Sequence, residues 1–539
     1  MKKLPRLISL SAGLAVFLST ACTTPDNWRK SHIEADPFAE SAAEGSVQSE
    51  EEPPVLSEPV EKKVPTDPLP IAREDAVMMA LGQNPDLRIQ QLNPLIAGGF
   101  EAIERGRFDP EIFANYQYAE ESASETDRAT QQRISFEGES HRGTVGVRQR
   151  LPTGTDVEAS FRQDRSISDR SPEHQSARVG LTVTQQLLRG FGPAVNFAAI
   201  RQAELDTVAS EFELRGYVEA LVADVEIAYW NYVLAEKRIA IFEQSHEVAV
   251  RQLNEIRERV EVGALSRNEL AAASAETAMR EQDLINARSL LEERRLRLLL
   301  LLSPDYENWH ELELTATSPL DSAPAPTGDL NERIALALQS RPDLNEAKLR
   351  LQRDELEVIV TRNGLLPRLE LFATLGRSGY ADTFLDSIKR IDGSDYDLTV
   401  GVSLTHAIGN RAAKGRGLIA RGRYRQSVEA IENLRDLIRF DVASAKNEVE
   451  RSRQQIAASS ETRAFREQTA QAEQDRFLVG TSTALDVALA QRDLLASQID
   501  EVEARVEFQI AQIELFLAEG TLLERRGLAI PATFEPPAL

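Results

Sequence analysis

The chain has 539 residues, of which 62 are Lys or Arg and 86 are Asp or Glu, for a formal net charge of −24. That balance excludes a nucleic-acid binder, which needs a basic face to displace counterions from phosphate. A single Cys excludes a disulfide framework and a Cys-based zinc site, and six scattered His without ligand spacing leave no metal or cofactor to expect.

The first segment reads as an address. Lys2, Lys3 and Arg6 precede an apolar run from Leu7 to Leu18, and small residues lead to Cys22. This is the layout of a secretory signal over residues 1–21. Its apolar run is shorter than the ~20 residues a spanning helix needs. Leu18-Ser19-Thr20-Ala21-Cys22 resembles the bacterial lipobox, which implies cleavage before Cys22, a lipid on its thiol and, with Thr23 following, sorting to the outer membrane. Residues 22–70 are then a lipidated N-terminus and a tether, acidic and rich in Pro. Such sequence cannot bury enough apolar surface to fold.

Beyond the tether the chain repeats itself. Ala80-Leu81-Gly82-Gln83-Asn84-Pro85-Asp86-Leu87 returns as Ala337-Leu338-Gln339-Ser340-Arg341-Pro342-Asp343-Leu344, and Pro110 returns as Pro367, both at an offset of 257. Val179-Gly180-Leu181-Thr182-Val183-Thr184 matches Val400-Gly401-Val402-Ser403-Leu404-Thr405, and Val262-Gly263 matches Val479-Gly480. Two copies of one long unit are expected, over 71–326 and 327–526, with a tail at 527–539. Each copy should run helix, strands, very long helix, break, helix.

The long helices are expected over 193–262 and 410–479, each followed by a shorter one, at 266–303 and 483–519. At 1.5 Å per residue the longer pair would reach ~105 Å, far beyond the needs of a globular domain. Val218, Leu221, Val225, Ala228, Tyr232, Ala235, Ile239, Phe242, His246, Ala249, Leu253, Ile256 and Val260 alternate steps of three and four without a slip. That is the seam of supercoiled helices. His246 falls on the seam, as a core-facing side chain rather than a ligand. Ile438, Val442, Ala445, Val449, Ser452 and Ile456 keep the pattern in the second copy.

Strands are expected within 110–187, and over 368–376 and 397–406. Ile112 to Tyr118, Arg178 to Thr184 and Leu398 to Thr405 alternate with period two, apolar on one face and small or polar on the other. Such segments suit a transmembrane β-barrel with lipid outside and water inside. A half-buried soluble sheet has the same period. The export signal and the lack of a spanning helix point to the barrel. The first copy holds extra sequence between Pro110 and Gly180 that reads as strand, turn, strand, from Thr144 to Arg162. It either adds two strands, for six per chain instead of four, or forms an external hairpin.

These marks together resemble the TolC-type outer-membrane efflux protein family, in its lipoprotein branch. The resemblance rests on the duplicated Ala-Leu-x-x-x-Pro-Asp-Leu, on the segment from Thr184 to Gly192, on Tyr229-Trp230-Asn231-Tyr232, and on the paired breaks at Val262 to Ser266 and Val479 to Thr483. It implies an α+β fold of long antiparallel coiled-coil helices and transmembrane strands. Three chains would share one β-barrel continuous with an α-helical tunnel. Four strands per chain would make a barrel of 12, six a barrel of 18. A chain of four or six strands cannot close a roomy barrel alone, and open edges in lipid leave backbone groups unpaired at several kcal/mol each. Assembly is therefore expected on physical grounds as well.

The resemblance also implies a site. Val262, Gly263, Ala264, Leu265 and Ser266, with Val479, Gly480, Thr481, Ser482 and Thr483, would be the periplasmic tips that meet an adaptor protein. A glycine cap that merely ends a helix explains Gly263 and Gly480 equally well. Glu269 and Asp486 match acidic residues that narrow the tunnel near that tip, Leu489 stands where some members carry a second Asp, Ser482 replaces a basic gate residue and Phe477 replaces a Tyr. Three copies of two carboxylates around an axis would attract cations; solvated carboxylates on a helix surface are the alternative. The implied function is a passive exit duct of a tripartite efflux or type I secretion system in the outer membrane. Its partners would be outer-membrane lipid, a periplasmic adaptor and an inner-membrane pump of the RND, ABC or MFS class. No catalytic constellation is present in the sequence, so no enzymatic activity is expected. A lipid-anchored periplasmic coiled-coil scaffold or adhesin without a pore is the competing reading. Cargo and pump class are not legible.

Overall fold

The computed structural model describes residues 67–126, 133–169, 171–320, 328–392 and 395–528. The signal, Cys22, nearly all of the tether and residues 529–539 of the tail lie outside the described residues.

Each copy opens with two helices where the sequence suggested one: α1 (Arg73–Gln83) and α2 (Pro85–Gly106) in the first, α6 (Leu330–Ser340) and α7 (Pro342–Asn363) in the second. The shared motif explains the break. Asn84 and Arg341 are extended, at ψ 120° and 124°, because a residue before Pro is pushed out of the helical region. Pro85 and Pro342 then sit in the first turn of the next helix, where no N–H is needed. Asn84 accepts a hydrogen bond from the Leu87 amide at 3.1 Å. Ala80, Ala337, Leu87 and Leu344 are buried beside the break, so the motif is a packed corner.

The long helices are α4 (Ala198–Glu261), of 64 residues, and α9 (Arg411–Leu478), of 68. At 1.5 Å per residue they run ~96 and ~102 Å. The first does not begin at 193 as one continuous helix. A single turn, α3 (Pro193–Asn196), precedes it and Phe197 intervenes. The Asn196 side-chain Nδ2 donates to the carbonyls of Pro152, Gly190 and Gly192 at 2.9–3.0 Å, which fixes that corner. The long helices turn back into α5 (Arg267–Leu302) and α10 (Ala484–Glu519); a last turn, α11 (Leu522–Arg525), follows α10.

The heptad seam is buried from Val218 to Ala235 and again at Ala249 and Ile256, with Ile239, Phe242 and His246 half-buried between. In the second copy Ile438, Val442 and Ser452 are fully buried. Tyr229 and Tyr232 have a second task. Their hydroxyls donate to the carbonyls of Ile71 and Leu314, at 3.2 and 2.6 Å. Those residues belong to β1 (Leu69–Ile71) and β6 (Leu314–Ala316), a short parallel pair that clasps the helices midway. Trp230, between the two tyrosines, is buried in the same cluster.

Toward the strands the helices pack in the order α2, α4, α7, α9; toward the tips they pack as α5, α4, α10, α9. One border of this layer, α2, exposes Ile89, Leu92, Ile96, Phe100 and Ile103 on a single helical face. The other border, α9, exposes Leu418, Ile419, Leu437 and Phe440.

Both copies feed one antiparallel sheet. Its order is β2 (Glu111–Thr126), β3 (Arg133–Leu151), β4 (Thr155–Ser168), β5 (Ser171–Gln186), β7 (Arg368–Ala381) and β8 (Tyr396–Thr405). The chain therefore has six strands in this sheet among the described residues. A short helix, α8 (Phe384–Lys389), packs against β5 and β7 at the far end. The sheet ends at β2 and β8, and the helical layer ends at α2 and α9. Since α2 leads into β2 and β8 leads into α9, the free borders of sheet and layer fall on the same two sides.

Candidate functional site

Two places combine exposure with a defined arrangement of side chains: the sheet and the helix tips. In the sheet, register sorts the faces. One row runs Ile112, Val147, Ala159, Leu181, Leu375, Leu398, and a neighbouring row on the same face runs Ala114, Val145, Phe161, Val179, Arg377 and Tyr396, with Arg377 its one charged member. Ile112, Val147, Leu181, Leu375 and Leu398 are all exposed. Tyr116 and Tyr118 flank His141 where this band meets the far end of β2 and β3. The opposite face carries cross-strand ion pairs: Arg148–Glu111 at 2.7 Å, Arg150–Asp156 at 2.9 Å, Arg142–Asp164 and Arg178–Asp397 at 2.5 Å. A sheet apolar on one side and charged on the other belongs between oil and water. No helix among the described residues is long and apolar enough to cross a membrane.

At the tips both long helices end the same way. Gly263 and Gly480 each adopt φ +78°. The Gly263 amide donates to the Val260 carbonyl at 3.0 Å and the Ala264 amide to Arg259 at 2.7 Å. The Gly480 amide donates to Phe477 at 3.1 Å and the Thr481 amide to Arg476 at 2.9 Å. This crossed pair of bonds satisfies the last helix carbonyls and needs a residue that tolerates positive φ, which is why glycine stands there. Val262 and Val479, just before each glycine, are 79% and 74% exposed. Two large apolar side chains thus face outward at equivalent points of the two turns.

The return helices start differently. Ser266 caps α5 by accepting from the Glu269 amide, and Thr483 caps α10 by accepting from the Asp486 amide at 3.2 Å. Asp486 closes its own box, accepting from the Thr483 amide at 3.3 Å and from the Thr483 hydroxyl at 2.8 Å. The Thr483 hydroxyl, then its backbone amide, hold the Asp486 carboxyl below the usual carboxylate range. Glu269 holds the same sequence position but reaches across to the other hairpin, accepting from the Ala484 amide at 3.2 Å. Ala484 is the first residue of α10. One helix start therefore gathers two carboxylates, as the unpaired amides and the helix dipole favour.

The structure thus brings Glu269, Ser482, Thr483 and Asp486 together. Leu489 is 40% exposed and lines an open hollow with Thr481, Ser482, Asp486, Glu473 and Arg476. Phe477 lies elsewhere. It is 3% exposed and packs with Ile256, Ala273, Ala484 and Val487, while the Arg259 guanidinium covers its ring at 5.5 Å. This small core welds the two hairpins, and Leu265 packs against its rim. Ala264 and Ser266 are exposed in the first turn. Sequence reasoning missed Glu473 and Arg476. They pair at 2.7 Å, and Glu473 accepts from the Ser482 hydroxyl at 2.9 Å. The signal was an acid–base pair three residues apart in the last helical turns.

Known proteins resemble this chain over most of its length. The family model described as outer membrane efflux protein matches residues 78–303 and 334–521. The chain is 25% identical over 393 residues to outer membrane efflux protein BepC of Brucella suis, covering 70% of this chain and 80% of that protein. It is 27% identical over 391 residues to outer membrane protein OprJ of Pseudomonas aeruginosa, covering 70% and 74%. Among solved structures, the CmeC outer membrane channel of Campylobacter jejuni superposes with a TM-score of 0.64 at 15% identity, covering 84% of this chain and 86% of that one. The open state of the MtrE channel of Neisseria gonorrhoeae gives 0.61 at 19% identity, covering 84% and 89%.

Proposed function

The chain belongs to the outer membrane efflux protein family and is an outer-membrane efflux channel; we propose that three copies close around one axis to build its duct. The observation that carries this is the coincidence of free borders. The sheet ends at β2 and β8, the helical layer ends at α2 and α9, and exposed apolar side chains line both borders of the layer. Repeating one head-to-tail contact closes a ring when the rotation allows it. Closure pairs the backbone edges that lipid would otherwise leave unpaired, at several kcal/mol per group. It also buries the α2 row against the next chain's α9. The ion-paired face then lines the bore and the apolar face meets lipid.

The tips are the proposed docking end for a periplasmic adaptor. Val262 and Val479 supply paired apolar knobs on glycine turns of identical backbone, a shape a partner can read twice per chain. Glu269 and Asp486, repeated three times, would make an acidic ring that favours cations. The pump that drives export is an inner-membrane partner of the RND, ABC or MFS class, the chain itself being passive. A lipid on Cys22 would add an anchor beside the barrel.

The test is electrical. Protein purified from outer membranes should form discrete conductance steps in planar bilayers. An assembled sample that inserts without conductance would refute the duct. Photo-crosslinkers placed at Val262 and Val479 in cells should capture an adaptor, and their failure beside working crosslinkers on α9 would refute tip docking.

A further inference from the structure

We propose that the hairpin β3–β4 is part of the membrane wall, so that the assembled barrel has eighteen strands and a wide outer mouth instead of the twelve that the family resemblance implies. This rests on the duct reading above and goes beyond it.

Three independent observations support it. The first is position. β3 and β4 lie between β2 and β5, paired along their length on both sides. A hairpin standing outside the wall would leave β2 and β5 to pair with each other. β3 and β4 carry the apolar face across: Val147 and Ala159 continue the row of Leu181 and Leu398, Val145 and Phe161 continue the row of Val179, and Val157 continues the row of Val183. Val145 and Val147 are 53% and 44% exposed, much as their neighbours in β5 are. The other face of β3 and β4 carries Arg148, Arg150, Asp156 and Asp164, which belong to the ion-paired side. An external hairpin has water on both faces and no reason to be two-faced. At 19 and 14 residues, both strands exceed the ~9–11 that cross a bilayer.

The second observation is a repeat inside the sheet. Val145-Gly146-Val147 in β3 has the form of Val179-Gly180-Leu181 in β5 and of Val400-Gly401-Val402 in β8. Gly146 lies under the ring of Phe113 from β2, and Gly401 lies under the ring of Phe372 from β7, each too close for a Cβ. Gly180 stands opposite Ser160 of β4 instead of a ring, so β3 shares with β8 both the motif and the covered glycine, as a strand of the same wall would.

The third is an anchor at the helix end. Gly154, in the β3–β4 turn, has φ +83°, and a Cβ there would fall 2.3 Å from the Gly190 carbonyl oxygen. The Gln186 amide donates to the Gly154 carbonyl at 2.9 Å and the Gly192 amide to Thr153 at 3.2 Å. Asn196 ties Pro152 to the same corner. The turn is thus built into the junction between wall and helices.

Strands spaced ~4.8 Å apart and tilted ~40° enclose a backbone diameter of ~24 Å for twelve and ~36 Å for eighteen.

An electron cryomicroscopy map of the unmodified assembly should show eighteen strands; twelve would overturn the proposal. Independently, Val147→Cys and Phe161→Cys carrying a fluorophore in bilayers should be quenched by brominated lipid as strongly as Leu398→Cys. Ser160→Cys should instead react with a charged, water-borne thiol reagent. The parent chain, whose single cysteine is Cys22, serves as the labelling control. If Val147→Cys and Phe161→Cys escape the lipid while Leu398→Cys does not, the hairpin is external: this inference fails and the duct stands. If Leu398→Cys escapes as well, the membrane sheet fails with it.

Discussion

Gly263 and Gly480 stand at the same φ of +78°, each followed by the same crossed hydrogen bonds, yet the acids that follow them behave differently. Asp486 folds back on Thr483 and completes its own cap. Glu269 leaves its own cap half-made and reaches the start of the other return helix. The residue two before each glycine's valine also differs: Val260 is half-buried and Phe477 is buried. A duplicated backbone has thus been kept where backbone geometry demands glycine, and has diverged where side chains join one hairpin to the other. The second tip closes on itself and sets Phe477 into the core that both hairpins share, while the first reaches across to the second through Glu269.

The comparison breaks most visibly at the core. Phe477→Ala should cost about 3–4 kcal/mol per chain, the range for emptying a buried aromatic site. Val260→Ala at the equivalent place should cost only about 1 kcal/mol, since half-buried methyl groups are lost. Thermal unfolding of the purified assembly, followed by helical circular dichroism, measures both, and equal losses would contradict the asymmetry. The glycines make the opposite case. Gly263→Ala and Gly480→Ala should each cost about 1–2 kcal/mol from forced left-handed backbone. The two losses should match, because open space surrounds both positions and φ alone decides.

Next comes the crossing acid. Glu269→Ala should cost about 1 kcal/mol, as for a lost helix cap. Amide hydrogen exchange should rise at Ala484 in the other hairpin; a change confined to α5 would sink the cross-capping. The smallest effect concerns pH. The Asp486 carboxyl titrates below its unfolded range because Thr483 hydrogen-bonds the charged form. Its contribution is present above the unfolded pKa and disappears as pH falls through the folded one. Exchange protection at the second tip should therefore drop on strong acidification, and Asp486→Asn should remove that step while leaving the first tip unchanged.

Much of this could be read from residue order. The period-two strands, the uninterrupted heptad seam and the twin glycine breaks are local patterns, and local geometry imposes them. Pro85 and Pro342 announced a corner too, but reading it as two helices required knowing that Ala80 and Leu87 pack on its inner side. The one-turn interruption at Phe197 was not legible, because it depends on Asn196 meeting three carbonyls from distant residues. Phe477 stands where the family resemblance implies a gate Tyr, and only packing placed it between hairpins. Capping-box spacing is the same at Ser266 and Thr483, so spacing alone could not say that Glu269 crosses over.

By itself the sequence determined the long helices and the period-two strands, where each long helix must turn, and which strand face is apolar, because φ preferences and side-chain periodicity act within a few residues. The tertiary structure alone decided that strands from both copies share one sheet, that β3 and β4 sit between β2 and β5, and that one acid serves the neighbouring hairpin. Those outcomes turn on which of several equivalent edges and donors meet in space, and neither periodicity nor propensity carries that choice.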